Sequence, residues 1–272
     1  MRVTTTKQIF KLKYGYISLM KKHEIRHITH TYRSLEEQKL QMTPQVLDIG
    51  LLLIPDHQWL DAAGPVDYIN CHSREILSMT PLPQTVLDKA PIINWHYISY
   101  NMGPVRVTSG PMQLPTCTYN DCPPLDYIII PGPDPSKPPP GAFSQFVKDR
   151  LDDPKMKGLL LICTASLLVA NTGNGVLDGK YVCSNKYTLR MLSEAGLLKG
   201  TKINWVGDKR WTVDGKIWSS AGITAGIDLA AAFSRIIFDE EIVRFAKDAT
   251  EYEGKPEAPD VFARILDGVK LN

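Results

Sequence analysis

The sequence predicts an α/β fold, a three-layer sandwich in which a mostly parallel sheet lies between two layers of helices. Short, continuous apolar runs such as residues 127–130 and 159–162 are typical of strands buried on both faces. Helical segments separate these runs, and such alternation favours parallel strands. Cys163 directly follows the run 159–162 and precedes a predicted helix. This position predicts a sharp strand-to-helix turn that presents the thiol, an arrangement known as a nucleophile elbow.

The elements follow in order from Val46. Apolar runs predict strands at residues 47–54, 92–99, 105–108, 127–130, 159–162, 181–184 and 204–206. Helices are predicted at residues 60–70, 141–151, from 164 onward, 187–195, 225–238 and 240–252, with a short one within 259–269. Asp214-Gly215 between two apolar stretches predicts a two-residue hairpin turn.

Composition limits the classes of function. The chain has 272 residues and a formal net charge of +2, which argues against a nucleic-acid binder that depends on charge. The sequence contains no run of about 18 apolar residues, so no membrane-spanning helix is predicted. The five cysteines are scattered and no secretory signal is recognised, so we expect the cytoplasm. Cys117 and Cys122 have no second pair to complete a zinc site, and we expect no bound metal.

The first residues differ from the rest. Residues 1–41 carry nine Lys or Arg and three Glu, which predicts a basic extension over residues 1–44, an α/β domain over 45–252 and a tail over 253–272. A mitochondrial transit peptide, an arm that packs on a partner subunit and a true start at Met42 are the alternatives. His23, His27 and His30 could hold a metal on one helix face, but solvated side chains are the favoured interpretation.

Binding sites in parallel sheets lie beyond the carboxyl ends of the strands. The loops after Ile54, Ile130 and Ile162 would bring Asp61, Gly132 and Cys163 into one crevice. The positive end of a helix lowers the pKa of a thiol, so we expect a reactive Cys163. The local sequence alone favours a small, inert, buried side chain at Cys163. The alternative for Asp61 is a carboxylate that only favours its own helix dipole.

Five motifs in order carry a resemblance. They are residues 60–65 (Leu-Asp-Ala-Ala-Gly-Pro), 130–132 (Ile-Pro-Gly), 162–165 (Ile-Cys-Thr-Ala), 210–216 (Arg-Trp-Thr-Val-Asp-Gly-Lys) and 219–228, which begins Ser-Ser-Ala-Gly. On these motifs residues 46–250 resemble the ThiJ/PfpI family, within the class I glutamine amidotransferase-like fold. The resemblance implies a flavodoxin-like sandwich with a nucleophile elbow.

The resemblance also implies a chemistry. Cys163 would be the catalytic nucleophile, and Asp61 the acidic residue facing it. The motif at residues 60–65 is most similar to isonitrile hydratases, in which a thiolate attacks the terminal isonitrile carbon, water adds and a formamide leaves. Thr164 would hold water or substrate through its hydroxyl, and Gly132 and Asn185 would bind the substrate. A small-molecule substrate, no cofactor and a homodimer are expected.

Two residues depart from the family's pattern and bear on the reaction. Asn185 stands where many members carry a histidine, and asparagine cannot act as a base. Pro133 replaces a second glycine and lacks an N–H. Both disfavour protease-like and glyoxalase-like mechanisms. Arg210 and Trp211 are interpreted as core and hairpin residues.

Three alternatives to an isonitrile hydratase stay open or are discounted. A non-enzymatic redox sensor or chaperone-type stress protein, and a tailoring enzyme of secondary metabolism with another substrate, both remain open. A transcriptional regulator is discounted, because only about twenty residues follow Tyr252.

Overall fold

A seven-stranded sheet is the centre of the fold in the computed structural model, which describes residues 44–271. The described strands are β1 (Val46–Leu52), β2 (Ile92–Ser99), β3 (Val105–Arg106), β4 (Met112–Gln113), β5 (Cys117–Thr118), β6 (Tyr127–Ile130), β7 (Gly158–Leu161), β8 (Tyr181–Cys183), β9 (Asn204–Val206), β10 (Trp211–Asp214) and β11 (Ile217–Ser220). The sheet order is β10-β11-β7-β6-β1-β2-β5. Its neighbours run parallel except β10, which is antiparallel to β11. The predicted mostly parallel sheet is thereby confirmed.

Helices connect and cover these strands. In the described part of the chain they are α1 (Trp59–Asn70), α2 (Arg74–Leu77), α3 (Gln84–Leu87), α4 (Phe143–Asp152), α5 (Ala165–Asn171), α6 (Lys186–Glu194), α7 (Ala225–Ile237) and α8 (Glu240–Thr250), with a 3₁₀ helix at Val261–Leu266. The 3₁₀ helix packs on α6. Residues beyond 252, predicted as a tail, therefore contact the domain.

Alternation along the central strands separates two cores. In β6, Ile128 and Ile130 join an apolar cluster with α4 and α5, whereas Tyr127 and Ile129 join a second cluster with α1 and α7. The four residues of β6 are all buried, and so are those of β7. Strands covered on both faces explain the continuous apolar runs in the sequence. The three layers are thus confirmed.

The predicted hairpin forms, but its turn is displaced by one residue. Asp214 pairs with Ile217, so the turn consists of Gly215 and Lys216 rather than Asp214 and Gly215. Asp214 stays in β10 because its carboxylate accepts hydrogen bonds from the Tyr181 N–H at 3.0 Å and from Lys180 Nζ at 3.1 Å. Gly215 adopts a φ of +63°, which glycine tolerates without strain.

The strand predicted at residues 105–108 is also shorter than expected. Only Val105 and Arg106 are extended, and they pair with β4 in a separate two-stranded ribbon. A hydrogen bond from the Val107 N–H to the Pro111 carbonyl at 3.1 Å closes the chain into a turn there. Across residues 44–271, no helix combines the length and the apolar character needed to cross a membrane.

Candidate functional site

Three neighbouring strands place the predicted site residues together. β7, β6 and β1 are adjacent and parallel, so their carboxyl ends share one edge of the sheet. The loop after β1 leads to Asp61 in the first turn of α1, the loop after β6 carries Gly132, and β7 leads to Cys163. The three loops converge there as expected from the sequence, and Asp61 and Cys163 are both buried where they meet.

Cys163 occupies a strained turn between β7 and α5. Its φ is +60°, a left-handed conformation that is uncommon for a residue with a side chain. The Ser184 hydroxyl donates to the Cys163 carbonyl at 2.9 Å, and the Ser166 hydroxyl donates to the same oxygen at 3.4 Å. These bonds and the buried apolar neighbours hold the turn. The geometry is that of the elbow predicted from sequence.

Gly132 connects Asp61 to the elbow. Its N–H donates to Asp61 Oδ2 at 3.0 Å. A Cβ at this position would lie 2.5 Å from Thr164 Oγ1, 2.7 Å from Thr164 N and 2.9 Å from Asp61 Oδ2. Only glycine therefore allows the three segments to approach so closely. The Gly132 N–H, which the resemblance assigns to substrate binding, contacts the carboxyl of Asp61.

Thr164 is also occupied by a neighbour. Its hydroxyl donates to the Pro133 carbonyl oxygen at 2.6 Å. The hydroxyl proton is thus unavailable to the water or substrate that the sequence assigned to it, although an oxygen lone pair can still accept. The Thr164 N–H points at the Cys163 sulfur, where it lowers the pKa of the thiol. The backbone of Thr164 therefore contributes more to the thiol than its side chain.

Two further groups face the sulfur. Asn185 Nδ2 lies 3.6 Å from Cys163 Sγ. The orientation of this amide follows from its oxygen, which accepts the Thr188 N–H at 3.0 Å. The Ile223 N–H also acts on the sulfur, where it lowers the pKa of the thiol. Sequence reasoning missed Ile223, because a backbone donor leaves no trace in residue type.

Burial changes the pKa of both Asp61 and Cys163. Asp61 has no exposed surface, and this burial raises its pKa from the ordinary 3.8 to about 7, although the Gly132 N–H and the Cys163 thiol act in the opposite direction. Cys163 is 6% exposed. Burial first, and then the charge of Asp61, raise the pKa of its thiol to about 12. The lowered thiol pKa expected from the helix dipole is therefore wrong, because desolvation outweighs the donors around the sulfur.

The pair can exchange one proton. A neutral thiol beside a carboxyl that titrates near neutral pH can pass its proton to that carboxyl as the sulfur attacks. Asp61 Oδ1 has no partner of hydrogen-bond geometry among the described residues, so it is available to a proton or a water molecule. The arrangement can perform nucleophilic addition with proton transfer by Asp61.

The remaining candidate residues lie elsewhere. Arg210 is buried and pairs with Asp228, and Trp211 lies in β10, so both occupy the structural positions expected of them. Within residues 44–271, no three His, Cys, Asp or Glu side chains form a group that could hold a metal ion. His23, His27 and His30 lie outside the described residues.

Comparison with known proteins identifies a family and a relative of known activity. A model of the DJ-1/PfpI family matches residues 81–236. The isonitrile hydratase of Pseudomonas putida is 28% identical over 210 residues, which cover 77% of this chain and 80% of the relative. The family match includes Cys163 and Asn185 but begins after Asp61.

Solved structures agree on the fold. A ThiJ/PfpI family protein from Pseudomonas syringae superimposes with a TM-score of 0.58 at 21% identity, over 79% of this chain and 78% of that one. DJ-1β of Drosophila melanogaster gives 0.56 at 16% identity, over 78% of this chain and 100% of that one. An AraC family transcriptional regulator from Pseudomonas putida gives 0.57 at 12% identity, over 75% and 99%.

Proposed function

Because the chain belongs to the DJ-1/PfpI family, we propose that it is an enzyme that adds water to a small isonitrile, with Cys163 as nucleophile and Asp61 as proton carrier. One observation carries the proposal: the Asp61 carboxyl is buried beside the elbow thiol, and Asn185 rather than a histidine faces the sulfur. The similarity to an isonitrile hydratase supports the choice of substrate.

The first half of the reaction forms a covalent bond. The Cys163 S–H proton moves to Asp61 while the sulfur electron pair attacks the terminal carbon of the isonitrile. Asp61 then gives this proton to the same carbon, which yields a thioimidate, R–N=CH–S, on the enzyme. Only 6% of Cys163 is exposed, and a linear isonitrile group can reach such a sulfur more easily than a peptide bond.

The second half of the reaction releases the product. Asp61 takes a proton from water as the hydroxide adds to the thioimidate carbon, and Asp61 then gives this proton to the nitrogen. The carbon–sulfur bond breaks as the new hydroxyl becomes a carbonyl, the hydroxyl proton passes to the sulfur, and the N-substituted formamide leaves. The sum is one isonitrile plus one water, with no oxidant or cofactor consumed. Asp61 Oδ1, which lacks a partner in the described part of the protein, supports the water-activating role.

The absence of a base at Asn185 argues against competing reactions. A glyoxalase or peptidase needs proton abstraction and an oxyanion hole, and one lost oxyanion donor costs about 3 kcal/mol. Pro133 offers no N–H, and the Gly132 N–H is bonded to Asp61. Isonitrile hydration needs less of both, because its terminal carbon accepts the sulfur directly and Asp61 carries the proton.

The test follows formamide formation from methyl and tert-butyl isonitrile by NMR. We expect conversion by the natural protein, none by Cys163→Ala, and full activity in Cys122→Ala, a matched buried cysteine whose pKa is also raised to about 12. Robust lactate formation from methylglyoxal, without any formamide, would overturn the proposal.

A second candidate is a non-enzymatic stress protein that senses oxidation through Cys163. It is favoured by the three donors around the sulfur, which would stabilise the oxygens of an oxidised thiol. The raised thiol pKa ranks it second, because peroxide reacts with thiolates.

The homodimer and the cytoplasmic compartment belong to the proposal as well, and sedimentation and cell fractionation test them.

A further inference from the structure

Four charged side chains form a buried network outside the reacting pair. Lys186 Nζ lies 2.6 Å from Asp260 Oδ2, and these side chains are 2% and 1% exposed. Arg210 pairs with Asp228, and these side chains are 6% and 0% exposed. Arg210 Nη1 lies 3.9 Å from Asp260 Oδ1, which joins the two pairs.

Burial of four charged side chains has a large free-energy cost and is an inefficient way to stabilise a fold. Desolvation opposes each buried pair, and apolar side chains of similar volume often serve as well or better. Such a network is therefore better explained by the geometry that it imposes. Its contacts identify what is held.

One arm of the network reaches the turn that carries Ile223. Arg210 Nη2 donates to Thr224 Oγ1 at 2.9 Å, and the Ala221 N–H donates to the Arg210 carbonyl at 2.8 Å. Arg210 thus holds both ends of the turn 221–224. Ile223 has a φ of +35°, which a β-branched residue adopts only where its surroundings enforce it.

The other arm reaches Asn185. Lys186 follows Asn185 directly, and its Nζ also donates to the Lys209 carbonyl at 2.7 Å. Lys186 and its partner Asp260 therefore fix the start of α6, where Asn185 is the N-cap residue. Gly222 completes the fit, because a Cβ there would lie 2.6 Å from Asn185 Nδ2.

The C-terminal segment anchors both arms. Asp228 Oδ1 accepts the Tyr252 hydroxyl and the Lys255 N–H, the latter at 2.7 Å. The Arg210 N–H donates to the Glu257 carbonyl at 2.7 Å. Residues 252–260 thereby join the network that ends at the two groups on the sulfur.

We propose that Lys186, Arg210, Asp228 and Asp260 are positioning residues, which hold the Ile223 N–H and the Asn185 amide on Cys163 Sγ. This inference rests on the proposed role of Cys163 as nucleophile. The network touches no reacting atom. It acts by fixing two donors that stabilise the sulfur as its negative charge develops.

Thr224→Val tests the Arg210 arm with little risk to the fold, because Thr224 is exposed. The substitution removes the acceptor for Arg210 Nη2 and leaves all four charges in place. We expect alkylation of Cys163 by iodoacetamide at about pH 9 to slow by about fivefold, the effect of one weakened hydrogen bond. Peptide mass spectrometry measures the rate at Cys163 separately from the other cysteines. Thr224→Ser keeps the hydroxyl and should restore the natural rate.

Thr116→Val is the matched control. Thr116 is an exposed threonine whose Oγ1 accepts one hydrogen bond, from the Tyr97 N–H at 2.9 Å, and it lies beside β5 at the far edge of the sheet. We expect it to leave the alkylation rate unchanged. Urea unfolding of both valine variants separates a shared loss of stability from the specific effect on Cys163.

The outcomes are distinct. Equal alkylation rates in Thr224→Val and Thr116→Val would overturn the positioning role. An unreactive Cys163 in the natural protein would overturn both the network and the nucleophile. Slower alkylation in Thr224→Val, with no formamide from any isonitrile, would support the network and sink the proposed substrate.

Discussion

Asp61 is buried beside Cys163, and burial of its carboxyl makes the stability of the protein depend on pH. The folded protein holds the carboxyl proton up to about pH 7, whereas an ordinary aspartate releases it near 3.8. Between these values the folded state binds more protons than the unfolded chain. The free energy of unfolding therefore falls as the pH rises through this window, and the loss is complete above about pH 7.

Asp61→Asn should therefore stabilise the protein at pH 8. The amide oxygen can still accept the Gly132 N–H, and the cost of a buried charge disappears. The change from 3.8 to about 7 sets an upper limit of about 4 kcal/mol on the gain. Urea unfolding at pH 8 and at pH 4 measures it, and the gain should shrink at the lower pH.

Asp48→Asn provides a control of opposite sign. Burial would raise the pKa of Asp48, but hydrogen bonds from Lys155 and His96 outweigh it and lower the pKa to about 2. Asp48 contributes stability above its ordinary pKa, and that contribution is lost as the pH falls toward 2. Its asparagine variant should lose stability at pH 8. If Asp61→Asn also lost stability at pH 8, by the same amount as Asp48→Asn, the ionised Asp61 carboxylate would not destabilise the folded protein.

The same pKa predicts how turnover depends on pH. Asp61 must be ionised to accept the thiol proton, so kcat/KM for the isonitrile should rise with pH and level off above about 7. Asp61→Asn should lower kcat/KM by about a hundredfold or more and abolish its rise with pH. Steady-state rates between pH 5 and pH 9 measure both effects. If kcat/KM of the natural protein did not change with pH near neutrality, Asp61 would not be the group that accepts the thiol proton.

At the scale of elements, the site depends on how closely the loop after β6 approaches α1 and the elbow. Gly132→Ala places a methyl group within 3 Å of Thr164 and Asp61. We expect the loop to move, with a loss of about 1 to 3 kcal/mol in unfolding free energy and a strong loss of turnover. Chemical unfolding and initial rates measure these changes.

Gly103→Ala is the control for the loop. Gly103 has no left-handed φ, and its nearest neighbour is the side chain of Asn101 at 3.0 Å, which can move. It should retain stability and activity. Similar losses in the two variants would mean that the close approach at Gly132 has no special importance.

Three strands, β2, β6 and β9, have the predicted bounds. In β6 all four residues are buried, which explains its continuous apolar run, whereas β2 and β9 are only partly buried. α2 and α3 were missed, because helices of four residues are too short to show a period. The hairpin turn was misplaced because Asp214 is held by contacts from β8, which local sequence does not reveal.

The site was predictable only as far as side chains identify it. Cys163, Asp61, Gly132, Thr164 and Asn185 were found because loops after parallel strands converge and because the motifs match a family. The Ile223 N–H was not, since any residue type can supply it. The sign of the Cys163 pKa change was wrong because the degree of burial depends on how distant segments pack.

At the scale of the whole molecule, the site and its network use residues between Asp61 and Asp260. A chain that begins at Met42 should therefore fold and keep its turnover. Circular dichroism, soluble yield and formamide formation measure this against the full chain. A large loss of activity would show that the first 41 residues contribute to the domain or to its assembly.

The most direct test of the proposed mechanism looks for the covalent intermediate. The protein is mixed with tert-butyl isonitrile, quenched in acid within the first turnovers, and digested for mass spectrometry. The mechanism predicts that the peptide containing Cys163 gains the mass of one isonitrile, and that Cys163→Ser gains none. Formamide production at the natural rate by Cys163→Ser, with no adduct on Cys163 in the natural protein, would contradict it.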